Sequence, residues 1–447
     1  MKNTSVEIVK KLKEAGFEAY YAGGCVRDLI LNLEPEDYDI ATSALPEQIE
    51  DLFDKTYPIG KSFGVILIEE NGHHFEIATF RSDSGYSDGR RPDAVMFTHA
   101  EEDAQRRDFT INGIFYDPVK KEFMDFVEGK KDLKRGLLRF IGNPDERIKE
   151  DFLRILRAVR FKNRFDLEYE KETERALKLH SSLVTQVSAE RIREELTKIL
   201  RHPSRAEAIE DLKEFGILEK ILPEVTEMEH TPQPSDYHSE GNVFIHTKLV
   251  TQNVPLESSD ELLWAAFLHD IGKPATMKYC NDLIKFHDHQ TVGAEIARKI
   301  LNRFKFSNSA KNKIVWMVES HHVFDQFKDM RLVKKFKYFD NPEFTNLCEL
   351  HRADISGTIP EDFAGRKLAL EEVDLILDNF KYARSEKLLP SQRSELLSGK
   401  EIIEVLGIEP GPLISEIKEA LHEEQVEDRV KTKEEAVEFV KGKFGKS

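Results

Sequence analysis

Cysteine is scarce. Cys25, Cys280 and Cys348 are the only three in 447 residues, odd in number and far apart, which excludes a disulfide framework and a cysteine-based zinc site and suits a reducing compartment. Long apolar runs are lacking too: none approaches the roughly 18 residues that a membrane helix needs. Met1, Lys2, Asn3 and Thr4 lead into an amphipathic pattern, not into the apolar centre of a signal peptide. A cytoplasmic protein with no membrane partner is expected. Positive charge is in deficit, 66 Lys and Arg against 83 Asp and Glu for a net charge of -17. That argues against a surface built for indiscriminate nucleic-acid binding and leaves room for a local basic groove. What remains, 40% hydrophobic residues with a mean hydropathy of -0.50, describes a soluble globular chain. Its length suffices for about three domains.

Val6, Ile8, Val9 and Leu12 predict a first helix ending near Gly16. Strand-like runs follow at 17–22, 38–41, 63–68 and 75–80, interleaved with helical segments at 26–33 and 46–53, which describes a small α/β domain. Beyond Pro144 strand signals almost vanish. Ile148, Phe152, Leu153, Ile155, Leu156 and Val159 predict one helix over 146–165, the strongest such pattern in the chain. A loop-like stretch at 228–241, with Thr231, Pro232, Gln233, Pro234 and Ser235, separates one helical block from a histidine-rich one. Another break falls at 386–399, before a segment with Pro410, Gly411 and Pro412. There is no internal repeat.

Asp37 and Asp39 stand two apart, which on a strand puts both carboxylates on one face. Such a pair suits a hard divalent cation bridging to substrate phosphates, although alone it is equally a solvated strand end. Gly23 and Gly24 lead into Cys25, Val26, Arg27 and Asp28, where bare backbone N–H groups at a helix start, with Arg27 as a fixed cation, suit phosphate. Taken singly they are a turn. Glu76 alternates against Phe75 and Ile77 and is either a third carboxylate or an exposed one. The run Arg106, Arg107, Asp108, Phe109, Thr110, Ile111, Asn112 carries charges and donors that suit a triphosphate and a ribose. On the predicted helix, Glu150, Arg154 and Arg157 share one stripe and Asp151 lies about 60° from Arg154. Their polar ends can meet one ligand, or merely pair with one another on a solvated face.

In order and residue type these segments resemble the class II tRNA nucleotidyltransferases, the family of CCA-adding, CC-adding and A-adding enzymes and bacterial poly(A) polymerases. Ser188, Ala189, Glu190, Arg191 and Ile192, and the Pro410, Gly411, Pro412 segment, share in the resemblance. It implies an α+β fold: a nucleotidyltransferase-type mixed α/β head over 1–140, an all-helical base-selecting neck over 141–227, an HD-type helical body over 228–385 and a helical tRNA-binding tail over 386–447. It implies that Asp37 and Asp39 hold Mg²⁺, with Glu76 expected as a further catalytic carboxylate. Gly23, Gly24 and Arg27 then cradle the triphosphate, and Arg107, Asp108 and Asn112 contact ribose and phosphate. Asp151 and Arg154 select the incoming base, and Arg157 and Arg160 also contact the nucleotide. A carboxylate and a guanidinium accept C or A and leave Asp151 unpaired against U or G. Gly85, Tyr86, Ser87, Asp88, Gly89, Arg90 and Arg91 resemble the loop that members need for ATP, which favours CCA or terminal-A addition over CC addition. The short end with Glu423, Glu424, Glu427 and Asp428 lacks the basic tail usual in poly(A) polymerases.

His246, His269 with Asp270, His289, His321 and Asp354 resemble the HD domain, a metal-dependent phosphohydrolase fold. The match implies one divalent ion on His246, His269, Asp270 and Asp354 and a second on His289 and His321, with Mn, Fe, Ni or Zn favoured by the donors. His287 and His322 are neighbours easily mistaken for ligands, and a decayed site whose side chains only pair together is the alternative. Basic clusters at 298–313 and 331–337 suit RNA phosphates or are solvated helix faces. The expected activity is template-independent addition of CCA, or of the last A alone, to tRNA from CTP and ATP. The alternatives are an HD phosphohydrolase acting on RNA ends or nucleotides, and a poly(A) polymerase. The expected partners are tRNA, ATP and CTP, with no stable protein partner inferred.

Overall fold

Period-two burial builds the head. Residues 1–85, 89, 94–234, 241–280, 283–358, 363–389, 392, 395–427 and 429–445 are described in the computed structural model. Tyr86, Ser87, Asp88, Arg90 and Arg91 of the expected ATP loop, and Ser235 and Asp428, lie outside them. The chain forms two compact units, Met1–Thr226 and Glu227–Ser447.

Besides a two-residue parallel pair, Leu137–Leu138 with Glu168–Tyr169, the strands of the first unit are β1 (Ala19–Ala22), β2 (Ile40–Thr42), β3 (Thr56–Gly60), β4 (Val65–Glu70), β5 (His73–Thr79), β6 (Arg81–Ser84), β7 (Ala94–Phe97), β8 (Ile114–Asp117) and β9 (Glu122–Asp125). Seven of them form a sheet in the order β3-β4-β5-β2-β1-β8-β9, and β6 pairs with β7 alone. Ile66, Ile68, Phe75 and Ile77 alternate inward along β4 and β5. Ala22, Ala41, Phe80, Ala104, Phe115 and Ile141 form a core cluster. The β2–β5 pairing is parallel, with Ile40 opposite Ile77, so Asp39 and Glu76 stand side by side one residue earlier. The sequence pattern missed β3 and β6–β9. Strands β6 to β9 have four residues each, too few for a period of two to register, and β8 is placed by pairing with β1.

One expected helix is two. Helix Pro144–Glu150, opened by an Asn143 cap and Pro144, stops at Asp151, whose backbone is extended at φ -147 and ψ 105. Helix Arg154–Arg164 starts afresh. The Asp151 carboxylate accepts the Leu153 N–H at 3.1 Å and the Phe152 N–H goes to the Gly89 carbonyl at 3.3 Å, so the backbone donors of the break are spent outside any helix. The helical angle assigned to Asp151 therefore does not apply, and Glu150 and Arg154 meet across the break rather than along one helix.

The second unit is mostly helical. Its helices include Val243–Asn253, Asp260–Leu268, His289–Arg303, Asn308–Ser320, Phe344–Gly357 and Phe363–Ser385, with one small antiparallel pair, Met277–Cys280 with Leu283–Phe286. Three last helices, Gly399–Leu406, Pro412–Val426 and Lys433–Phe444, share a core of Leu397, Ile402, Ile417, Leu421, Val430, Ala436 and Val440. No described helix is long and apolar enough to cross a membrane.

Gly272 fixes the closest approach around the histidines. A Cβ there would lie 2.1 Å from the His289 carbonyl oxygen and 2.6 Å from the Gly293 nitrogen, both backbone atoms that cannot swing aside. Gly272→Ala is expected to cost about 1–3 kcal/mol by overpacking. Urea unfolding of the whole chain measures it, and an unchanged midpoint would contradict the contact.

Candidate active site and histidine cluster

Gly23 turns the chain at φ 69 between β1 and the short helix Gly24–Ile30, and a Cβ there would meet Arg107 Nη1 at 3.4 Å and Asp39 Oδ2 at 3.7 Å. Around that turn opens a cleft of about 640 Å³. Gly23, Gly24, Arg27, Asp37, Asp39, Arg107, Asp108, Asn112, Asp151, Arg154, Arg157 and Arg160 all line it, drawn from segments more than a hundred residues apart. Asp37 and Asp39 precede β2 rather than lying within it, yet both face the cleft. Glu76 is exposed and does not line it, but it acts on Asp39 through its charge. Burial, then Asp37, then Glu76 push the Asp39 carboxyl up to about 6, against the pull of Arg107. That is a concentration of negative charge that suits a cation.

The arginines are held in place one by one. Arg27 donates through Nη1 to Asn112 Oδ1 at 2.7 Å and through Nε and Nη2 to Asp28, with its guanidinium 4.1 Å from the Phe165 ring centre. Asp103 binds Arg106 at 2.7 Å and Arg107 at 3.0 Å. Asp108 accepts from Arg157 at 2.9 and 2.6 Å and from Asn112 at 2.9 Å. Burial alone would raise the Asp108 carboxyl, but Arg157 and Asn112 hold it well below the usual carboxylate range. Arg154 meets Glu150 at 2.6 Å, Arg160 meets Glu195 at 2.6 Å and Arg191 meets Asp151 at 2.7 Å. Glu195 and the role of Arg191 went unread, as did Glu36, Phe161, Arg164 and Lys198 in the cleft wall. Arg191, Glu195 and Lys198 come from helix Ala189–Leu200, and no local spacing ties that helix to the others.

In the second unit the expected histidines converge. His269, His289 and His321 each have Nδ1 within 2.7 to 2.9 Å of the carbonyl three residues earlier, which turns Nε2 inward. His246 Nε2 lies 2.9 Å from Asp354 Oδ1, and His269 Nε2 lies 3.2 Å from Asp270 Oδ2. His289 and His321 approach within 3.2 Å of each other and stand 3.5 and 3.6 Å from Asp270 Oδ1. Asp270 thus sits between two groups, His246, His269 and Asp354 on one side and His289, His321 and His322 on the other. His322, read as a bystander, is within reach of the second group while its Nδ1 holds Asp325 at 2.7 Å. Lys273, unread in the sequence, pairs with Asp270 at 2.6 Å. Burial pushes His289 down to about 3. Despite burial, Asp270 and Asp354 are held well below the usual range by the surrounding histidines and, for Asp270, Lys273. His269 Nε2 is buried without a hydrogen-bond partner. Buried imidazoles, two carboxylates held below their usual range and a ring nitrogen without a hydrogen-bond partner are a donor set that fits a metal ion.

Three family models match the chain: the Poly A polymerase head domain over residues 19–139, the probable RNA and SrmB-binding site of polymerase A over 166–229, and the HD domain over 236–378. The structure resembles that of a Bacillus stearothermophilus CCA-adding enzyme in complex with CTP, with a TM-score of 0.71 and 24% identity over 98% of this chain and 96% of that one. It also resembles a Thermotoga maritima CCA-adding enzyme complexed with tRNA, with a TM-score of 0.58 and 22% identity over 98% and 94%. Those likenesses speak to the fold. In sequence, the CCA-adding enzyme of Ligilactobacillus salivarius is 31% identical over 94% of this chain and 91% of its own length. That of Staphylococcus saprophyticus is 32% identical over 92% and 91%. With both ends of each alignment nearly complete and the cleft assembled from the same segments that suggested the likeness, the chain belongs to the CCA-adding enzyme family of nucleotidyltransferases.

Proposed function

We propose that this chain adds CCA to the 3′ end of tRNA from CTP and ATP, without a nucleic-acid template, releasing pyrophosphate at each step. One observation carries the reading: a single cleft joins the Asp37 and Asp39 carboxylates, the Gly23 turn with its arginines, and the Asp151 and Arg154 pair. The RNA 3′-hydroxyl forms a bond to the α-phosphorus of the nucleotide as the bond to the departing pyrophosphate breaks. Divalent cations held by Asp37 and Asp39 would lower the pKa of that hydroxyl and offset charge on the leaving group. Arg27 and Arg107 orient the phosphates. Asp151 accepts from the exocyclic amino group that C and A share, and Arg154 donates to their ring acceptors. Arg191 and Glu150 hold these two selectors ready.

The histidine cluster supports a second activity at a separate place, a phosphohydrolase acting on phosphate esters of RNA ends or nucleotides. The orphaned Nε2 of His269 favours it. His246, His269, Asp270 and Asp354 would hold one transition-metal ion, Mn, Fe, Ni or Zn, which supplies an activated water when bound.

Primer extension on tRNA ending in the discriminator base, in C or in CC, with labelled CTP or ATP and Mg²⁺, tests the first reading. Addition of CCA in order is expected, whereas A alone or a ladder of A would name an A-adding enzyme or a poly(A) polymerase. Asp37→Ala is expected to cut extension about 10²–10³-fold, and undiminished extension would overturn the reading. Asp151→Ala is expected to lose about 1–3 kcal/mol of discrimination against UTP and GTP. An Asp39 carboxyl near 6 binds a proton in the folded state that the unfolded chain has released, so this group subtracts stability as pH rises from about 4 through 6. Asp39→Asn should therefore abolish extension yet raise unfolding free energy at pH 7.5 without metal, by about 1–2 kcal/mol, a gain that shrinks below pH 6. For the second reading, metal content by mass spectrometry should fall in His269→Ala with Asp270→Ala. Equal content in both proteins would end it.

A further inference from the structure

Arg147 does not line the cleft, and its guanidinium is nonetheless committed to the segments that do. It is 8% exposed. Through Nη2 it donates to the backbone carbonyls of both Arg106 and Arg107, the latter at 2.5 Å, and through Nη1 it meets the Glu150 carboxylate. The same Glu150 oxygen accepts from Arg154 Nη1 at 2.6 Å. Arg154 donates in addition to the Arg147 carbonyl at 2.8 Å and to the Arg106 carbonyl at 3.2 Å. Two guanidiniums thus share one carboxylate oxygen and one carbonyl, closing a ring. The ring joins the backbone that carries Arg106 and Arg107 to the helix start that carries Arg154, across the break at 151–153.

We propose that Arg147 is a positioning residue that keys the base-selecting guanidinium of Arg154 to the backbone of the phosphate-binding arginines. Base choice and the chemical step depend on it, and nucleotide affinity does not. The inference rests on the base-selection reading above. Its physical basis is the planar fork of arginine, which meets a carboxylate and two carbonyls at once; the single ammonium of lysine keeps the charge but cannot hold all three. Misplacing a reacting group by about 1 Å costs about 10²-fold in rate even when the ligand still binds.

Steady-state kinetics of Arg147→Lys with CTP, ATP and UTP on primer tRNA provide the test. The expected result is kcat for CTP reduced about 10–100-fold, KM for CTP within about threefold of wild type, and the CTP-over-UTP ratio of kcat/KM lowered at least about tenfold. Glu150→Gln, which opens the ring from its other side, should show the same split and add little in the double variant. If the CTP-over-UTP ratio stays at the wild-type value while rates for all nucleotides fall together, Arg147 is only structural and the proposal is overturned. Should Arg147→Lys fail to fold, Glu150→Gln decides alone, and retained selectivity there overturns the proposal. Asp151→Ala separates the two failures. Discrimination surviving in Asp151→Ala sinks the base-selection reading itself, whereas its loss there with full retention in Arg147→Lys sinks only the role of Arg147.

Discussion

A cleft that must hold both cationic and anionic groups works only if they do not neutralise each other. In this chain several cleft arginines each have a carboxylate partner, some of them shared: Asp28 for Arg27, Asp103 for Arg106 and Arg107, Glu150 for Arg154, Asp108 for Arg157 and Glu195 for Arg160. Asp37 and Asp39 have no ion pair among the described residues, and the burial and mutual repulsion that raise Asp39 persist because no arginine has collapsed onto it. Local pairing keeps the guanidiniums rigid, and rigid donors need no reorganisation when charge builds on a transferring phosphoryl group. Desolvation, geometry and the separation of the two signs of charge are thus one arrangement.

The histidine cluster solves a related problem with other means. Its ring nitrogens are turned inward by backbone carbonyls, and its acids are kept ionised by the imidazoles and an ammonium. Close backbone packing at Gly272 brings the His269 turn against the start of the helix that carries His289. Packing sets the distances and hydrogen bonds set the ring orientation.

Much of this was legible in the sequence, for identifiable reasons. Phe75 and Ile77 alternate over a strand long enough to show it, and the acidic, glycine and arginine segments of the head are short and chemically distinctive. The histidines announced themselves by type. What stayed hidden depends on contacts remote in sequence. The helix breaks at Asp151 because its carboxylate accepts the Leu153 N–H and the Phe152 N–H goes to the remote Gly89 carbonyl, where apolar periodicity alone predicts continuity. Lys198 lines the cleft, and Arg191 and Glu195 hold its lining residues Asp151 and Arg160, all from a helix with its own amphipathic pattern, while Lys273 and Arg147 carry no local signal before the folded chain buries them.

The bond from the Phe152 amide to the Gly89 carbonyl carries a further consequence. A Cβ at position 89 would fall 2.2 Å from the Phe152 ring, and the Gly89 backbone already sits at φ 63. Positions 89 and 152 are therefore not free to drift independently over evolutionary time. A bulkier residue at the first requires a smaller one at the second, and that paired substitution would reshape the segment directly beside Asp151.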